Sequence, residues 1–145
     1  MRVDFYQVGQ DPVPEIVALL ARNTLKAGER LLVVGEPDDL LDAIGEALWR
    51  AAPADSFLAN GRTDQPHAAR QPVLLSNRLD PANGARFCVL ADGIWREPEG
   101  FERTFLVFDA ATLDAARACW RMLGEREGLE RHFWRQEGGR WVKAG

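Results

Sequence analysis

The chain has 145 residues, 46% of them hydrophobic and 28% charged, with five tryptophans and a formal net charge of −4. That size and composition exclude a disordered or low-complexity chain and predict one compact domain over 1–145, monomeric on its own, with enough apolar residues to bury a core. The acidic balance excludes a protein that holds nucleic acid through its overall field, and no apolar run approaches the ~20 residues of a membrane span.

Charge is nevertheless uneven. Residues 112–145 carry seven Lys/Arg against five acids, which leaves eleven against seventeen for the first 111. A mildly basic C-terminal portion suits an acidic partner. The opening "MRVDFYQVG" passes straight into a strand-like alternation instead of a secretory leader, so the chain reads as cytoplasmic with no membrane contact.

"VDFYQV" (3–8) and "RLLVVGE" (30–36) read as strands, the second an apolar run short enough to be buried on both faces. Between them the spacing predicts a helix with Pro14 in its first turn, Ile16, Leu19, Leu20 and Leu25 along one broad side, and Gly28 at the left-handed cap. Strand, helix and strand within 36 residues form a βαβ unit, which favours a parallel sheet. A second helix starts with Pro37 at its first position and Asp38 and Asp39 at its positive end, and it turns Leu41, Ile44 and Leu48 inward. Trp49 borders that stripe, and Pro53 in "RAAPAD" closes the helix.

"NGRTDQPHAARQ" (60–71) reads as an exposed polar loop. "PVLLSN" (72–77), "ARFCVLAD" (85–92) and "RTFLVFD" (103–109) read as mostly buried strands separated by turn-rich segments. A long helix is predicted over about 110–126, and the tail reads as two short strands turning at Glu137, Gly138 and Gly139. The sum is an α/β protein, a three-layer Rossmann-like, mostly parallel sheet with a C-terminal hairpin.

Catalytic signatures are sparse. "VVGEPDD" has one glycine and two aspartates where a phosphate-binding loop needs a row of glycines, so no nucleotide cofactor is expected. His67 and His132 lack metal-ligand spacing, so no metal is expected, and Cys88 and Cys119 lie in apolar contexts without CxxC spacing, which predicts buried thiols. "REPEGFE" groups three glutamates without a partner base or nucleophile, the pattern of a solvated loop. These readings favour a binding protein; the rival is a small α/β enzyme or nucleotide-binding domain with an unrecognised pocket.

Two aromatic sites admit two readings each. In "ARACWR", Arg117, Trp120 and Arg121 stand at i, i+3 and i+4 and share one helix face. Trp120 either extends the inward side of Leu113, Ala116 and Leu123, or forms an aromatic wall between two guanidiniums. In "LWRAAPADSFL", Trp49 and Phe57 flank Pro53, and they either hold the loop onto the sheet or anchor a partner.

"ALWRAAPADSFL", "PVLLSNRLDPANGARFCVLAD", "AARACWRMLGEREG" and "FWRQEGGRWVK", in that order and spacing, resemble the chi subunit family of bacterial DNA polymerase III, and "VDFYQV" and "LKAGERLLVV" extend the likeness over nearly the whole chain. The resemblance implies a non-catalytic accessory subunit of the replication machinery that touches DNA only indirectly, working at the replication fork. It implies that Arg117, Trp120 and Arg121 bind the acidic C-terminal tail of single-stranded-DNA-binding protein. It also implies that Trp49, Pro53 and Phe57 bind psi of the clamp loader or a helicase-like partner. Leu113 stands where some members carry a basic residue, which implies a pocket with less charge or a neighbouring substitute such as Arg126.

Overall fold

The computed structural model describes residues 1–9, 11–50, 60–62, 68–137 and 140–144. β1 (Arg2–Gln7), α1 (Val13–Lys26) and β2 (Leu31–Val34) form the expected crossover unit, followed by α2 (Asp38–Arg50). Then come β3 (Asn60–Arg62), β4 (Val73–Ser76), β5 (Phe87–Leu90) and β6 (Arg103–Phe108). A 3-10 turn at Ala110–Thr112 leads into α3 (Leu113–Gly124), and the hairpin strands are β7 (Glu130–Glu137) and β8 (Arg140–Lys143).

Among the described residues the strands form one sheet in the order β3-β4-β2-β5-β6-β1-β7-β8. Every pairing is parallel except the β7–β8 hairpin. The pleat sorts side chains into two cores. Leu31, Val33, Val89, Phe105 and Val107 face α1 and α2, whereas Val3, Phe5, Leu32, Leu90 and Leu106 face α3. The architecture is thus three-layered, with β2, β4, β5 and β6 buried on both faces, and this explains their continuous apolar runs.

The inward stripe of α2 is as expected: Leu41, Ile44 and Leu48 are all fully buried. Gly28, at φ 81°, takes the left-handed position after α1 that a Cβ would disfavour. Both cysteines are buried free thiols. Burial pushes the Cys88 thiol up to about 12, because a thiolate cannot be hydrated there.

Three readings need correction. Leu19 is 37% exposed rather than turned inward, because the buried side of α1 runs through Ile16, Val17, Ala18, Leu20, Ala21 and Thr24 and leaves Leu19 on the far side of the helix. Pro37 precedes α2 instead of opening it, and its carbonyl accepts the first-turn N–H groups of Leu40 and Leu41. The stretch read as a polar loop supplies β3, which pairs Asn60, Gly61 and Arg62 with Val73, Leu74 and Leu75, and a 3-10 turn at Ala68–Arg70. A strand held by backbone hydrogen bonds at a sheet edge needs no apolar pattern. Pro53, Phe57, His67 and the Gly138-Gly139 turn lie outside the described residues.

Candidate functional site

The 3-10 turn that leads into α3 is fixed locally. The Asp109 carboxylate accepts the N–H groups of Ala111 at 3.0 Å and Thr112 at 3.2 Å, while the Thr112 hydroxyl accepts the Asp109 N–H at 3.1 Å. This reciprocal cap satisfies donors that a helix end otherwise leaves unpaired. Gly93, at φ 74°, lets the neighbouring loop close on it, since a Cβ there would stand 2.6 Å from the Thr112 hydroxyl.

Beyond that turn, Ala116, Cys119 and Leu123 point into the sheet. Arg117 and Arg121 fall on the outward face and are exposed, and neither makes an ion pair or hydrogen bond among the described residues. Trp120 lies at the border between the two. Its ring meets Phe5 of β1 edge-on at 5.3 Å and Phe133 of β7 edge-on at 5.6 Å, the arrangement that aromatic quadrupoles favour. Arg131 of β7 lays its guanidinium over the ring, 3.9 Å from the centroid, and donates to the Trp120 carbonyl at 2.5 Å.

Arg117, Trp120, Phe133 and Ala144 enclose an open cavity of about 200 Å³. A closed apolar cavity of ~150 Å³ suffices for benzene, so the space suits one phenyl ring. Two open-armed guanidiniums on the adjoining helix face can hold a carboxylate through paired N–H donors. The structure therefore brings Arg117 and Trp120 together at one cavity, with Arg121 one turn along the same helix. Trp120 contributes to the core and to the cavity wall at once.

Leu113 packs against the α3-side core. Arg126 is engaged elsewhere: it grips both oxygens of Glu97, at 2.5 and 2.9 Å. That grip, with the Trp95 indole N–H as a further donor, lowers the Glu97 carboxyl to about 2. Arg131, Phe133 and Ala144 were not anticipated as site residues. The period-two alternation of "RHF" does place Arg131 and Phe133 on one face of β7, which is the only signal the sequence offers for them.

The second predicted site is partly in view. Trp49 is 56% exposed near the end of α2 and borders an open groove of about 540 Å³ with Leu41, Glu46, Arg62 and Leu75. Arg62 of β3 ties the groove's rim to α2 through Asp38 at 2.7 Å and Asp42 at 3.1 Å. At that exposure Trp49 is not one of the buried core side chains.

On the sheet face opposite Trp120, fully buried Asp4 accepts from Arg103 at 2.8 Å, Arg2 at 3.0 Å and the Trp134 indole at 3.1 Å. Desolvation pushes its carboxyl up, but these donors outweigh it and the net shift is downward. The network joins β1, β6 and β7, so it fixes the strand that carries Arg131 and Phe133.

These features define a class: a three-layer α/β protein with a mostly parallel sheet and a basic, aromatic cavity between α3 and the hairpin. The chain belongs to the DNA polymerase III chi subunit (HolC) family, whose model matches residues 1–141. No curated protein matches it. Among the described residues no helix is long and apolar enough to cross a membrane.

Proposed function

We propose that this protein is a non-catalytic accessory subunit of the DNA polymerase III assembly that binds the acidic C-terminal tail of single-stranded-DNA-binding protein through Arg117, Trp120 and Arg121. On this reading the Trp49 surface, with Pro53 and Phe57, receives psi of the clamp loader or a helicase-like partner. The protein works in the cytoplasm at the replication fork and meets DNA through its partners. The observation that carries the reading is the cavity of about 200 Å³ walled by Trp120 and Phe133 with Arg117 at its rim. An acidic tail ending in phenylalanine supplies what such a site lacks, a ring for the slot and carboxylates for the arginines.

The mechanism is effective concentration rather than chemistry: a modest contact to each of many tails keeps the polymerase assembly near coated template. The test is a fluorescence polarisation titration with a labelled tail peptide. Binding is expected to weaken as salt rises and to fall by about tenfold or more in Arg117→Ala and Arg121→Glu, because charge-assisted contacts are screened and lost. Undiminished binding in both variants rejects the site.

A further inference from the structure

The cavity is not isolated. Its Ala144 wall lies immediately after β8, the last strand of the sheet, and β8 pairs with β7 alone among the described residues. The Ala144 N–H donates to the Phe133 carbonyl at 2.7 Å, so Phe133 and Ala144 are a hydrogen-bonded pair. Antiparallel pairs alternate, and the register sets Arg135 opposite Val142 and Glu137 opposite Arg140. The backbone groups of Arg140, Val142 and Ala144 therefore turn toward β7. Those of Trp141 and Lys143 turn outward, toward the open edge.

Side chains along that edge are selective. Arg140 and Lys143 are exposed, and neither has an acidic partner among the described residues. Val142 is 38% exposed and shares a face with Ala144 and Phe133, while Trp141 points to the other face and packs edge-on against Tyr6 at 5.0 Å. Basic residues on an edge strand repel a second copy of the same edge, which is the usual protective device. The same charges favour an acidic strand.

We infer that β8 is the second half of the tail site: the acidic segment preceding the terminal phenylalanine adds to the sheet as a strand alongside Arg140–Lys143, bonding to the outward backbone groups of Trp141 and Lys143. This rests on the tail-binding reading and extends it from a pocket to a pocket plus a sheet edge. With the terminal residue in the cavity beside Ala144, the upstream residues run back toward Arg140, so the added strand is parallel to β8. Main-chain hydrogen bonds then supply affinity, and Arg140 and Lys143 select acidic side chains.

The test compares two synthetic acidic peptides ending in phenylalanine with a free carboxylate, about four and about ten residues long, a difference that spans the edge strand at ~3.3 Å per residue. The longer peptide is expected to bind about tenfold tighter, the worth of one or two net hydrogen bonds. Amide exchange at Trp141 and Lys143 is expected to slow when the longer peptide is bound and to stay unchanged with the shorter one. Lys143→Pro removes an outward N–H without touching the β7 ladder, so it should erase the length advantage and leave the short peptide's affinity intact. Lys143→Gln should lose only a salt-sensitive part. Equal affinities for the two peptides, or unprotected amides at Trp141 and Lys143 under the longer one, overturn the edge pairing while leaving the pocket standing. Failure of both peptides to bind overturns the pocket as well.

Discussion

Trp120 is held on three sides, by Phe5, Phe133 and Arg131, and opens to solvent on the fourth, where the cavity begins. Trp120→Ala removes both the packing and the wall. We expect it to cost about 2 to 3 kcal/mol in urea denaturation, toward the low end for a large aromatic because part of the ring already meets water, and to abolish tail binding. Asp4 is a different kind of residue: its three donors hold an ionised carboxylate that is fully buried. Its folded carboxyl lies below the ordinary 3.8, so the stability it adds is present above that value and is lost as pH falls through the folded one. Asp4→Asn is thus expected to be less stable than the parent by about 3 kcal/mol at neutral pH, with the gap closing below about pH 4 in parallel denaturation series.

At the scale of elements, α3 presents the site only if its first turn is in register. Asp109→Ala deletes two capping hydrogen bonds and should cost about 1 kcal/mol, visible as faster amide exchange over Ala111–Asp114 and a matching modest loss of tail affinity. Much of this level was legible beforehand. The β-branched and leucine runs marked the buried strands, and the i, i+3, i+4 spacing put Arg117, Trp120 and Arg121 on one face of a helix. β3 was not legible, because "NGR" pairs through backbone groups and its side chains carry no pattern. Arg131, Phe133 and Ala144 escaped for another reason. Their place in the site depends on β7 docking beside β1, with Phe5 opposite Phe133 in register, and no local periodicity encodes a pairing between strands so far apart in the chain.

For the whole molecule, the two candidate surfaces belong to opposite borders of the sheet. Trp49 shares its groove with β3 and β4, whereas Trp120 rests against β7 next to β8. Six strand spacings separate β3 from β7, ~29 Å at the usual 4.7–4.9 Å each. Sites that far apart with no shared residues act independently. Trp49→Ala is therefore expected to leave tail-peptide affinity within about twofold of the parent in the same titration, and a tail-saturated protein should still take its second partner.

Phe5 carries one more implication. It lies in the first strand, yet it supports Trp120 and stacks at 6.0 Å on Phe133, near the other end of the sequence. On the ribosome, at ~5–20 residues per second, β1 waits of the order of ten seconds before β7 exists to pair with it. Until then the aromatic wall has no backing. A nascent or prematurely terminated product that stops short of β7 therefore carries "ARACWR" without the Phe133 ring that completes the cavity wall.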